Sequence, residues 1–206
     1  MISLSVVFSI CLALLLGAMS PGPTFIAVVQ NAVIKSRKHG VATAFGTAMG
    51  AMLFGLFAVI GLQAILLAVP SLYILLKVFG GLYLIWLAIK VFKGANKAVS
   101  FADNDPKTGS MFTCFQQGIF TQLSNPKTAV IMASIFTALL PKTLTMGYII
   151  LIPVLCFMID FAWYAVVSML FSSKKPREIY LRFKTVFDYL SSGILCFLGI
   201  KLLIKN

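Results

Sequence analysis

The sequence predicts an all-α polytopic membrane protein. Six transmembrane helices form two inverted three-helix repeats, with helices 1 and 4 broken by proline. Three observations lead there. The 206 residues are 60% hydrophobic and 11% charged, with a mean hydropathy of +1.01, whereas soluble domains run near half apolar and a quarter charged. Six apolar stretches are each long enough to cross roughly 30 Å of hydrocarbon at about 1.5 Å per residue. Basic residues gather in alternate connections between those stretches.

Span 1 covers roughly 4–34 and is broken by Ser20-Pro21-Gly22-Pro23. It lacks a positive leading region and runs on past the break, so it reads as retained and not as a cleaved signal. Spans 2 and 3, roughly 41–69 and 71–92, are separated only by Val69-Pro70-Ser71, a tight turn that makes them antiparallel. Span 2 carries Gly46 and Gly50, a GxxxG pair that permits close helix approach, either within the chain or between two copies in a homodimer. Span 4, roughly 111–140, is broken by Ser124-Asn125-Pro126; spans 5 and 6 cover roughly 144–171 and 186–204.

Three connections are basic. They hold Lys35, Arg37 and Lys38; then Lys93, Lys97 and Lys107; then Lys174, Lys175, Arg177, Arg182 and Lys184. The opposite side has Lys142, Lys201 and Lys205. The positive-inside rule places the three basic connections in the cytoplasm and both termini outside. The whole chain, 1–206, then reads as one membrane domain: repeat A over about 1–95, a cytoplasmic loop over about 93–110 and repeat B over about 111–206.

The repeat is visible in the chain itself. Ser20-Pro21-Gly22 is answered by Ser124-Asn125-Pro126, 104 residues on, and Trp86-Leu87-Ala88-Ile89-Lys90 by Phe197-Leu198-Gly199-Ile200-Lys201, 111 residues on. Three spans per half is an odd number, so the second half enters the membrane upside down. Inverted repeats with broken helices at matching positions mark secondary transporters.

The breaks have a chemical consequence. Proline lacks an N–H and clashes with the carbonyl four residues back. Pro21, Pro23 and Pro126 therefore free the carbonyls of Gly17, Met19 and Gln122. Helix restarts at Pro23 or Thr24 and again at Pro126, with Asn125 as the cap. Each restart offers N–H groups and a positive dipole end that suit a carboxylate, and each stop offers carbonyls that suit an ammonium. A zwitterionic amino acid matches both. A plain kink explains one break, but two at matching repeat positions favour a site.

Asp160 reads as the one acid inside a span, where insertion costs about 2.5–3.5 kcal/mol. Lys127, just past the second break, is its natural partner; the alternatives give Asp160 the substrate ammonium or a coupling proton and Lys127 the substrate carboxylate. Trp163 and Tyr164 share the face of Asp160 by helical spacing. The substrate-binding candidates are thus Ser20, Gly22, Thr24, Asn125, Lys127 and Asp160, with Asp160 also coupling the proton. With a single acid at the site, a second substrate ammonium lacks a partner, which favours a neutral amino acid.

Several classes are excluded. The net charge of +12 comes with no nucleic-acid motif. Cys11, Cys114, Cys156 and Cys196 form no CxxC and no metal-ligand spacing, so no metal and no cofactor is implied. No catalytic histidine or acid pair lies in the spans, which argues against an enzyme. A redox or ion carrier of similar architecture is the remaining alternative.

Taken together, Met19-Ser20-Pro21-Gly22-Pro23, Lys35-Ser36-Arg37-Lys38, Gly80-Gly81-Leu82-Tyr83-Leu84, Leu123-Ser124-Asn125-Pro126-Lys127, Ala162-Trp163 and Gly199-Ile200-Lys201-Leu202-Leu203 resemble the lysine exporter (LysE/RhtB) family. The likeness is strongest to its threonine and homoserine efflux branch and spans nearly the whole chain. It implies a six-helix exporter of amino acids in the bacterial inner membrane, working by proton antiport. The residue after Pro-Gly-Pro is commonly aspartate in that family and is Thr24 here. The threonine-efflux branch carries glutamate where this chain has Asp160. The resemblance then leaves Asp160 to carry the ammonium or proton role alone, and a hydroxyl at position 24 to cap the restarted helix or touch the substrate.

Overall fold

The computed structural model describes residues 3–68, 70–95, 109–141 and 145–204. Among the described residues there are eight α-helices and one π-helical turn, and no strand. Helix α1 is Leu4–Met19 and α2 is Pro23–Gln30, continuing through the π turn Asn31–Lys35. Then come α3 (Arg37–Ala68), α4 (Pro70–Gly94), α5 (Met111–Leu123), α6 (Pro126–Leu139), α7 (Met146–Phe171) and α8 (Lys174–Ile204).

The elements start and stop where proline chemistry demands. Extended backbone at Ser20 ends α1, and Pro23 occupies the first position of α2, where a missing N–H costs nothing. The two segments are bent by 62°. In span 4 the interruption is shorter: α5 ends at Leu123, and Pro126 opens α6 behind Asn125, whose Oδ1 accepts from the Lys127 N–H at 3.0 Å.

Among the described residues, two helical segments are long and apolar enough to cross a bilayer, Arg37–Gly61 and Met146–Phe171. The bent pair Leu4–Met19 with Pro23–Lys35 makes a third if it counts as one span. Helix α8 begins at Lys174, well before the apolar run at 186. The residues expected as a third basic loop are therefore helical, a helix start that hydropathy cannot see. Val69 of the expected turn, Lys97, Lys107, Lys142 and Lys205 lie outside the described residues.

Helix α3 packs most extensively on α7 and α5, and α4 packs on α8. Glycine makes two of these crossings possible. A Cβ on Gly46 would collide with the Phe115 carbonyl of α5, and one on Gly118 with the Thr43 carbonyl of α3. Across the α4/α8 crossing, a Cβ on Gly199 would stand 2.8 Å from the Gly81 carbonyl oxygen. The GxxxG face is thus filled by α5 of the same chain, which removes it as the surface for pairing two copies. Gly46→Val is expected to force α3 and α5 apart, since overpacking costs about 1–3 kcal/mol and backbone has nowhere to yield. Thermal unfolding in detergent, followed by size-exclusion fluorescence, checks for the lowered midpoint.

The packed interior has two parts. Ile10, Leu84, Ile135, Ile152 and Leu202 anchor one cluster, joining α1, α4, α6, α7 and α8. Phe25, Val28, Val29, Ala44 and Phe171 anchor the other, joining α2, α3 and α7. The two breaks lie between the helices these clusters hold.

Candidate functional site

Placing prolines in helices leaves backbone groups that need partners at a depth where lipid offers none. The structure shows how they are met. The carbonyls near the end of α1 accept from other helices: Ser191 Oγ of α8 donates to Leu16 O at 3.1 Å, and Tyr164 Oη of α7 to Ala18 O at 3.5 Å. Within the break, Lys127 Nζ donates to Ser20 O at 2.8 Å and to Pro21 O at 3.4 Å. The cation seated on these carbonyls is therefore the protein's own lysine. The Gln122 carbonyl is not bare either, because it accepts from the Asn125 N–H at 3.1 Å.

Side chains tie the two breaks together. Asn125 Nδ2 donates to Thr24 Oγ1 at 3.0 Å, and Thr24 Oγ1 donates to Gln122 Oε1 at 2.7 Å. Asn125 thus uses both ends of its amide, one to cap α6 and one to hold α2. All three side chains are buried. Thr24 does not cap its helix; its hydroxyl reaches across to α5, and α2 has no side-chain cap.

The six residues read from sequence as substrate-binding come together. Ser20, Gly22, Thr24, Asn125, Lys127 and Asp160 all line one cavity of about 40 Å³. Two buried polar atoms there, Ser20 Oγ and Asp160 Oδ2, have no hydrogen-bond partner. Thr47 of α3 lies beside the Asp160 carboxyl, its hydroxyl donating to the Ala44 carbonyl at 2.8 Å. Tyr164 also lines the cavity, but Trp163 does not: it faces the apolar groove between α1 and α7 with Phe8 and Leu12.

The expected Lys127–Asp160 ion pair does not form. Lys127 is committed to the Ser20 and Pro21 carbonyls, and the charge that acts on it is Asp188 of α8. Asp188 is an acid that the sequence reading passed over, although position 188 falls inside span 6; it is only 4% exposed. Its signal was present in the chain, since an acid within an apolar run is a functional candidate by default. Asp160 is therefore not the single acid of the spans.

A second, larger space adjoins the first. A groove of about 480 Å³ is lined by Ser20–Pro23 and Asn125–Lys127 on one wall and by Tyr83, Trp86, Lys90 and Asp188 on the other. Lys127 and the break residues separate the two.

Further polar groups run from the breaks along α2 and α5. Asn31 Nδ2, at the start of the π turn, donates to Thr43 Oγ1 at 2.9 Å and to Gln117 Oε1 at 3.0 Å. Lys35 Nζ stands 3.4 Å from Cys114 Sγ. With Thr24–Gln122 these contacts tie α2 and its π turn to α5 and α3, and nothing in the apolar pattern announced them.

The chain matches the family model described as LysE type translocator over residues 15–206. It is similar to the threonine efflux protein of Salmonella typhi, 30% identical over 201 residues, covering 97% of this chain and 98% of the relative. It is also similar to the threonine efflux protein of Escherichia coli strain K12, 32% identical over 194 residues, with 91% and 92% covered. An uncharacterized membrane protein of Haemophilus influenzae is 26% identical over 188 residues, with 90% of each chain covered. No solved structure matches the chain.

Proposed function

The chain belongs to the LysE type translocator family, a membrane transporter and not an enzyme, and from that premise we propose that it exports a neutral amino acid such as threonine or homoserine. The observation that carries the reading is the shared cavity. Both helix breaks and Asp160 line it, and it holds two buried polar atoms without partners. A donor-bearing helix restart, a lysine and a carboxyl around one space suit a zwitterion. Charge balance across the two spaces supports a neutral side chain, since two acids, Asp160 and Asp188, stand against two lysines, Lys127 and Lys90. The names of the threonine efflux relatives point the same way.

Alternating access in a bacterial inner membrane supplies the cycle, with a returning proton carried by Asp160. The inverted six-span arrangement is supported by which helices meet. Spans 2 and 5 are α3 and α7, spans 3 and 6 are α4 and α8, and each pair is among the most extensive contacts in the molecule. A two-fold axis in the membrane plane brings equivalent helices together in this way. The basic residues place α4's end and α8's start on the cytoplasmic side, so both termini lie outside. At about 40 Å³ the cavity has room for about three waters. An amino acid enters it only when the breaks part.

The test is export itself. Cells loaded with threonine- and homoserine-containing dipeptides release the amino acid faster when the protein is expressed, and a protonophore removes the difference. If no amino acid in a full panel leaves faster under an imposed proton gradient, the exporter reading is wrong.

A further inference from the structure

The larger groove plays no part in the cycle just described, yet in this conformation it is the space that fits an amino acid. Its 480 Å³ falls within the range of small-molecule sites, roughly 300–1,000 Å³, whereas the Asp160 cavity is closed down to about 40 Å³. The groove carries one buried acid, Asp188, on α8. It carries a lysine, Lys90, whose Nζ lies 4.9 Å above the Trp86 ring, and Trp86 is 5.4 Å from Tyr83. Trp86 is half exposed and Lys90 exposed, so both are open to a ligand. A buried carboxyl, a lysine and aromatic side chains line the groove, as a carboxyl, a lysine and Tyr164 line the Asp160 cavity on the other side of the breaks.

We propose that the groove is a second binding position for the transported amino acid, with Asp188 receiving the α-ammonium, Lys90 the α-carboxylate, and Trp86 and Tyr83 contacting the side chain. This rests on the exporter reading. The two positions share one partition, the backbone of Ser20–Gly22 held by Lys127, so a substrate passes from one to the other when that lysine releases the carbonyls. Asp188, already the charge neighbour of Lys127, draws the ammonium of Lys127 toward the groove when the substrate's own ammonium leaves for Asp160. Aromatic walls and an ammonium–anion pair also suit a phosphatidylethanolamine headgroup, and the experiment separates the two.

The full-length protein in phosphatidylcholine nanodiscs is titrated with radiolabelled L-threonine and L-homoserine, and bound equivalents are counted at saturation. Two equivalents per chain are expected for the wild type. Trp86→Ala and Lys90→Gln, both at exposed positions that the fold does not need, are expected to bind one and to raise the KM for export about tenfold with Vmax kept. One equivalent in the wild type, or two in both variants, overturns the second position while leaving the exporter reading standing. Zero equivalents with every amino acid tried overturns both. A second equivalent lost when phosphatidylethanolamine is added assigns the groove to lipid and overturns the proposal.

Discussion

Asp160→Asn lowers uphill export about 100-fold while the protein stays folded: this is the expected result with the largest effect. The carboxyl sits mid-way along α7, is 6% exposed and has one oxygen, Oδ2, without a partner in the cavity. Asparagine keeps its size and can still meet Thr47, so packing is conserved. What asparagine cannot do is take up and release a proton, or offer a full charge to an ammonium. A hydrogen bond to a charged group is worth roughly 1.5–3 kcal/mol, so gradient-driven export falls about 100-fold at the upper end of that range. Two assays run side by side separate the roles. Exchange of internal for external threonine without a gradient needs binding but no net proton movement. If exchange survives and uphill export is lost, Asp160 carries the proton; if both are lost, it holds the ammonium. Unchanged uphill export would reject both roles. Asp160→Glu is expected to retain part of the activity, since the carboxyl is kept and only the reach changes.

How much of this was legible beforehand depends on the distance over which each feature is determined. The breaks were legible because proline acts on its own helix. Restart at Pro23 and Pro126, and the Asn125 cap, follow from the missing N–H and a short polar side chain. The helical character of the apolar stretches was legible, but their ends were not. Helix α8 starts at Lys174 because a basic stretch can be helical outside hydrocarbon, a fact hydropathy does not encode.

The site was legible as a set of residues and not as a set of bonds. Ser20, Thr24, Asn125, Lys127 and Asp160 do share a cavity. Their partners depend on how α2, α5 and α8 approach one another, which no local pattern fixes. Gln122 and Thr47 are ordinary polar residues until Thr24 and Asp160 are brought beside them. The proximity of Lys127 and Asp160 at mid-depth suggested a pair, but the nearest acceptors for the ammonium were the carbonyls that the first break itself created. Asp188 is a different kind of miss: it stands in the sequence inside span 6, two residues from its edge, with no basic residue beside it in the apolar run to draw attention to it.

Lys127→Met is expected to be the second large loss, and for a reason that reaches both spaces. The ammonium bonds Ser20 O at 2.8 Å, and its side chain lies along Gly22. Methionine fills the same channel with no donor. Two break carbonyls then lose a charged partner, and Asp188 loses the cation beside it in a medium that screens poorly. Breaking one half of such an arrangement costs about 3–5 kcal/mol, enough to lower both export and the yield of folded protein. The informative variant is the double one. If Asp188 balances Lys127, Lys127→Met with Asp188→Asn recovers folding, and the double-mutant cycle for thermal stability shows a coupling of about 1–3 kcal/mol. Export stays lost, because the partition between the two positions no longer has its latch. Additive stabilities would mean that Asp188 and Lys127 act independently, and that the lysine serves only the carbonyls of the broken helix.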